Sequence, residues 1–290
     1  MRNPLGVQPP RQRRIGRMSF NRLLPNIVTL LALCAGLTAM RYGAQDRFQP
    51  AVGALIIAGI LDGLDGRLAR RLGATSRFGA ELDSLADFLS FGVAPAFLLY
   101  NWTMKDAGPF GWALVLLFPV CCALRLARFN TALDADAAPP SWMAGFFTGV
   151  PAPAGAGLVL LPLMISFEIS AGFFSHPVVV GGFLAVVSAL MVSRLPTYSF
   201  KRGRIEARYV LPVMILIAAV AALLATSPWT TLPFLGAVYV CTFPFSVRAA
   251  YAARRAAANS DEPVGALDAL AETAVEADEA NETPDERAQR

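Results

Sequence analysis

Eight apolar stretches, each near the ~20 residues a helix needs to cross a bilayer, alternate along the chain with short polar connections. They cover about residues 25–42, 50–71, 79–100, 109–129, 146–168, 174–193, 208–226 and 230–248. Because a helix satisfies its own backbone in hydrocarbon, the pattern predicts an all-α polytopic membrane protein of about eight transmembrane helices. Pro25 suits the start of the first helix, and Asn26 sets an amide at the membrane boundary, as a cap or as a substrate contact. Gly149, Pro151, Pro153, Gly155 and Gly157 predict irregular first turns in the fifth segment, after a polar loop from Thr131 to Gly145.

Composition agrees: 55% of the 290 residues are hydrophobic and 16% charged, whereas an ordinary soluble domain is about a quarter charged. The formal charge of +4 conceals a split. Residues 257–290 hold ten acids and two arginines, leaving 23 basic against 11 acidic residues elsewhere. The basic body suits anionic membrane lipid, so no nucleic-acid partner is expected, and the acidic end reads as a solvated tail. Three regions follow: a basic N-terminal tail (1–24), retained because it shows no signal-peptide cleavage pattern, a transmembrane catalytic domain (25–256), and an acidic disordered tail (257–290).

Basic residues crowd the N-terminal tail and alternate connections and segment ends: around Arg67 to Arg77, at the end of the fourth segment, from Arg194 to Arg208, and from Arg248 to Arg255. By the positive-inside rule, both termini and these connections face the cytoplasm of a multi-pass protein of the cell membrane. Cys34, Cys121, Cys122 and Cys241 show no metal-ligand spacing and read as small buried hydrophobes. The single histidine, His176, lies in a short connection, so a general base must come from elsewhere.

The chemistry concentrates between residues 62 and 87. Asp62, Asp65, Asp83 and Asp87 are flanked by apolar runs, and a carboxylate at membrane depth costs several kcal/mol unless paired, wetted or cation-bound. Asp62 and Asp65 are three apart, Asp83 and Asp87 four, so each pair shares a helix face. A turn near Gly73 to Ser76 would bring both pairs into one gap. Oxygen ligands without His or Cys suit Mg²⁺ or Mn²⁺, and four carboxylates are enough for two ions, a common arrangement for substitution at phosphorus. Gly66 and Ala69 leave room on the Asp62 face, and Arg70 offers a fixed cation for a diphosphate. Gly79 permits close approach of the second helix, which small residues also do for packing alone.

Asp62, Asp65, Gly66, Ala69, Arg70, Gly79, Asp83 and Asp87 fill every fixed position of Asp-x2-Asp-Gly-x2-Ala-Arg-x8-Gly-x3-Asp-x3-Asp. The stretch resembles the signature of the CDP-alcohol phosphotransferase family. That resemblance implies an integral membrane enzyme with a six-helix core, here with two further helices, that displaces CMP from a CDP-linked substrate with an alcohol. It implies one metal on Asp62, Asp65 and Asp83 and another on Asp62, Asp83 and Asp87. Gly66, Ala69 and Asn26 would border the cytidine, and Arg70 would hold the diphosphate. Asp87 is the candidate base for the alcohol proton. A homodimer is common in the family.

The segments LPNIVTLLALCAGLTAM, ALRLARFNT, GVPAPAGAG and LPTYSFKRGRI resemble those of the bacterial integral-membrane phosphatidylserine synthases, a branch of that family. The partners implied are CDP-diacylglycerol, L-serine, CMP and membrane lipid. Choline, glycerol 3-phosphate or inositol remain alternative acceptors. Arg125, Arg128 and Lys201 are candidate cations for the acceptor carboxylate or the lipid phosphate, although the positive-inside rule also places basic residues there. A cation transporter is the remote alternative; the aspartate segment has no evident inverted repeat.

Overall fold

A computed structural model describes residues 20–134, 146–169, 172–193, 195–198, 207–252 and 255. Lys201, most of the basic N-terminal tail and the acidic tail lie outside the described residues.

Helix α1 (Phe20–Gly43) lies along α2 (Phe48–Arg71) and α3 (Arg77–Asp87). It begins five residues before Pro25, which sits inside the helix. The expected helix start at Pro25 is thereby corrected: the missing amide lies close enough to the N-terminus for little of the ladder to be lost. Asn26 is therefore an interior residue and does not cap α1.

The α2–α3 connection has the predicted turn chemistry. Gly73 takes φ +57°, the left-handed conformation that glycine adopts at low cost. The Ala74 amide donates to the Ala69 carbonyl at 2.9 Å and the Gly73 amide to that of Arg70 at 3.4 Å, closing α2 in the Schellman manner. Ser76 then caps α3, its Oγ accepting from the Gly79 amide at 3.0 Å.

Directly after Asp87 the helix widens into a π segment, Phe88–Val93, before continuing as α4 (Ala94–Trp102). Sequence periodicity did not foresee this. Two glycines admit the wide turn: a Cβ on Gly36 of α1 would collide with Ser90, and one on Gly92 would lie 3.1 Å from Cys122. The π segment is thus pressed between α1 and α5 (Gly108–Asp134), which a 3-10 turn (Met104–Ala107) precedes.

The fifth segment is two short helices, α6 (Ala152–Val159) and α7 (Leu161–Ser166), broken at Leu160 with Pro162 opening the second. Helix α8 (Pro177–Val192) packs on α5 and α6. A three-residue antiparallel ladder joins β1 (Phe146–Thr148) to β2 (Pro196–Tyr198), outside an otherwise helical fold. The core runs from α2 and the π segment through α4 to α8, with Leu98, Leu99, Phe118, Leu163, Leu184 and Met191 fully enclosed. Helices α9 (Ala207–Thr226) and α10 (Pro228–Ala252) follow. The most apolar window of α9 buries nothing against protein, as befits a helix whose surroundings are lipid.

Among the described residues five helices are long and apolar enough to cross a membrane: Leu23–Gly43, Arg77–Trp102, Met104–Thr131, Arg208–Thr226 and Pro228–Ala252. The remaining expected spans depart for visible reasons. Helix α2 carries the charged signature, α6 and α7 are interrupted, and α8 has only 16 residues. Apart from that short ladder the regular structure among the described residues is helical, and the chain is a polytopic membrane protein.

Candidate active site

Helices α2 and α3 bring three of the four aspartates together. One carboxylate oxygen from each of Asp62, Asp83 and Asp87 lies within 4.8 Å of the other two. All three side chains are half-buried, and Asp87 Oδ1 is a buried atom with no hydrogen-bond partner among the described residues. Anionic oxygens at this spacing repel one another in a low dielectric, and the lone oxygen calls for a donor or a cation. The donor set is all oxygen, as hard divalent ions prefer, so the residues fit a metal ion.

Asp65 behaves differently. It is 4% exposed, and its Oδ2 accepts from Thr29 Oγ1 at 2.7 Å. That hydroxyl also lies 3.1 Å from the Pro25 carbonyl, so α1 and α2 are tied together one turn below the cluster. Thr29 did not stand out in the sequence. The available signal was a hydroxyl three residues after Asn26, hence on the same face of an otherwise apolar helix.

Beside the cluster is a polar cavity of about 340 Å³, within the usual range of small-molecule sites. Asp65, Gly66, Ala69 and Arg70 line it from α2, Gly79 and Asp83 from α3, and Asn26 and Thr29 from α1. Each nucleotide-contact candidate from the sequence therefore borders one space. The two glycines differ in kind. A Cβ on Gly66 would meet only Arg70 Nη1, at 3.6 Å, whereas one on Gly79 would stand 2.9 Å from Asn26 Oδ1 and 3.1 Å from Ser76 Oγ. Gly66 leaves cavity space; Gly79 lets α1 approach α3.

The two arginines of α5 also part ways. Arg125 is half-buried and within electrostatic reach of Asp87 and Tyr239, and its Nε is buried without a partner among the described residues. Arg128 instead donates from Nη1 to the Val192 carbonyl at 2.9 Å and from Nη2 to that of Ser193 at 3.3 Å. Those carbonyls end α8, where a cation complements the helix dipole. Two residues on, Asn130 Nδ2 donates to Ser84 Oγ at 2.9 Å, pinning α5 to α3 beside Asp83.

Fold and site together define a polytopic membrane protein built around a carboxylate cluster that can hold a metal ion, next to a polar cavity. The chain belongs to the CDP-alcohol phosphatidyltransferase family, whose profile matches residues 22–193; a second profile, CDP-alcohol phosphatidyltransferase 2, matches residues 208–244. It is 40% identical over 238 residues to the CDP-diacylglycerol–serine O-phosphatidyltransferase of Mycobacterium leprae (strain TN), covering 82% of this chain and 78% of that protein. The protein of the same name from Mycobacterium tuberculosis (strain ATCC 25618 / H37Rv) is 38% identical over 234 residues, covering 80% and 81%. That from Helicobacter pylori (strain J99 / ATCC 700824) is 34% identical over 198 residues, covering 68% and 81%.

Proposed function

We propose that this chain transfers the phosphatidyl group of CDP-diacylglycerol to L-serine, giving phosphatidylserine and CMP. The observation that carries the reading is the convergence of Asp62, Asp83 and Asp87 to within 4.8 Å beside the polar cavity. Relatives of that name at 34 to 40% identity support serine as the alcohol.

In this mechanism Asp62, Asp83 and Asp87 would hold one ion, and Asp62, Asp65 and Asp83 would hold a second. Bound there, Mg²⁺ or Mn²⁺ would supply positive charge against the diphosphate and the departing CMP. Asn26, Gly66, Ala69 and Gly79 shape the space for cytidine, while Arg70, folded over Gly66, faces the diphosphate. The serine oxygen attacks the phosphorus that bears diacylglycerol, the bond from phosphorus to the CMP oxygen breaks, and Asp87 takes the hydroxyl proton. Arg125, which has an unpaired donor near Asp87, meets the serine carboxylate or the lipid phosphate. Arg128 is already engaged at the end of α8, which leaves Arg125 as the better cation of the pair. Lys201 stays a candidate for the same role.

The regional reading accompanies this one: eight spans in the cell membrane, both termini cytoplasmic, a basic N-terminal tail and a solvated acidic C-terminal tail. The site then faces the compartment that supplies serine and receives CMP. Oligomerisation as a homodimer belongs to the same proposal. The test is CMP release by the purified protein with CDP-diacylglycerol and Mn²⁺ or Mg²⁺, with serine, choline, glycerol 3-phosphate and inositol offered separately. Serine-dependent release is expected, and release with another alcohol alone would overturn the acceptor.

A further inference from the structure

Helix α1 runs alongside the continuous rod formed by α3, the π segment and α4, and touches all three. The close approaches advance in step: Asn26 by Gly79, Gly36 by Ser90, Gly43 by Leu98. From 26 to 36 to 43 α1 gains ten and seven residues, whereas from 79 to 90 to 98 the rod gains eleven and eight. The rod thus spends more residues over the same contacts, as a turn closed i to i+5 does.

A wide turn also slips the helical register. One extra residue rotates everything beyond it by about 100° relative to an unbroken α-helix. Before the slip, α3 brings Asp83 and Asp87 to Asp62; after it, α4 encloses Leu98 and Leu99 completely. Between them, Phe91 walls an apolar cavity of about 290 Å³ along α2, beside Val52, Ile56 and Gly59. Without the slip both faces cannot be satisfied at once. Apolar burial would then hold the leucines in place, and the half-buried carboxylates would turn away from Asp62.

The tightest point against the wide turn is Gly36. A Cβ there would collide with Ser90 Oγ and stand 2.9 Å from Ser90 Cβ. Ser90, three residues after Asp87, is 1% exposed, and its Oγ is buried without a hydrogen-bond partner among the described residues. An unpaired buried hydroxyl adds no bond of its own, so the fit of the neighbouring helices holds this turn in place.

We propose that Gly36 and Ser90 are positioning residues for the metal ligands: their contact keeps the turn after Asp87 wide, and the wide turn keeps Asp83 and Asp87 aimed at Asp62. The inference rests on the metal-site reading of the aspartates and adds what aims two of them. Neither residue belongs to the cluster or lines the polar cavity.

The test measures Mn²⁺ affinity by electron paramagnetic resonance, with melting temperature and kcat for CMP release alongside, using whichever acceptor alcohol the wild type accepts. Gly36→Ala should weaken Mn²⁺ binding about tenfold or more, as lost support behind a metal ligand does. At saturating Mn²⁺ its kcat should fall about tenfold from misplacement of a reacting group, with KM for CDP-diacylglycerol little changed. Adding Ser90→Gly removes the opposing Oγ and Cβ and should restore affinity and kcat, although the added glycine keeps melting low. Gly43→Ala places a Cβ 3.0 Å from Leu98 Cδ1, beyond the wide turn, and should lower the melting temperature with Mn²⁺ affinity unchanged. Deletion of Leu89 removes the extra residue and should abolish Mn²⁺ binding in folded protein.

The inference is overturned by a Gly36→Ala protein that melts lower yet binds Mn²⁺ and turns over as the wild type does. An equal loss of affinity in Gly43→Ala, a failure of Ser90→Gly to rescue, or a folded Leu89 deletion with intact Mn²⁺ affinity would overturn it as well. Wild type without Mn²⁺ affinity would overturn the metal reading itself, and kcat then decides among the same variants.

Discussion

The two cavities along α2 share one helix face and differ in almost everything else. At the C-terminal end of α2, three helices contribute two carboxylates, one amide, a hydroxyl and an arginine to one space; toward the middle of the helix the lining is apolar except for Tyr239. The change occurs within one turn, between Gly59 and Asp62. A helix face can hold such opposite neighbours because hydrogen bonds satisfy its backbone at every depth, leaving side chains alone to set the local medium. Charge is thereby confined to the end where a cation can balance it.

Breaking the polar end should cost most. Asp62→Ala or Asp83→Ala should abolish CMP release, lowering kcat/KM by at least about 10³-fold if the ion contributes several kcal/mol, with loss of Mn²⁺ binding by electron paramagnetic resonance. Asp87→Asn keeps the shape but not the base, and kcat should fall about 10²- to 10⁴-fold. If Asp87→Asn keeps near-normal turnover while still binding Mn²⁺, the base assignment is wrong.

The α5 arginines sharpen the contrast between a reacting cation and a structural one. Arg125→Ala should lower kcat/KM about 30-fold or more, the cost of stranding groups around a buried charge, with little change in melting temperature. Arg128→Ala should do the reverse, since it removes two hydrogen bonds to the α8 carbonyls: melting a few degrees lower and near-normal turnover. Similar kinetic losses in both would erase the distinction. Thr29→Val, isosteric but without the hydroxyl held by Asp65, should weaken Mn²⁺ affinity about tenfold, as support behind a metal ligand commonly does.

The smallest effects separate the two glycines. Gly79→Ala places a methyl against Asn26 and Ser76 and should lower thermal stability as well as affinity for the nucleotide lipid. Gly66→Ala projects into open space beside Arg70 and should raise KM for CDP-diacylglycerol with no loss of stability. Equal loss of stability in both would reduce Gly66 to a packing residue.

Much was legible in the chain itself. Hydropathy alone marks the helical membrane class, because ~20 apolar residues have few other uses. The signature positions marked the site because carboxylates in such segments require a partner, and their spacing of three and four is helix arithmetic. Gly73 and Ser76 announced the turn through local chemistry.

Only the tertiary structure decided which partners those residues meet. The hydrogen bond that Asp65 accepts comes from Thr29, 36 residues away in sequence. The π segment after Asp87 depends on glycines that let α1 and α5 press in, and periodicity is blind to neighbouring helices. Arg125 and Arg128 are equivalent as letters on one helix end; what distinguishes them is that the end of α8 arrives beside one and Asp87 beside the other. Local spacing is written in the chain because the helix repeats it. Contacts between helices depend on packing summed over the whole molecule, and no short stretch contains that.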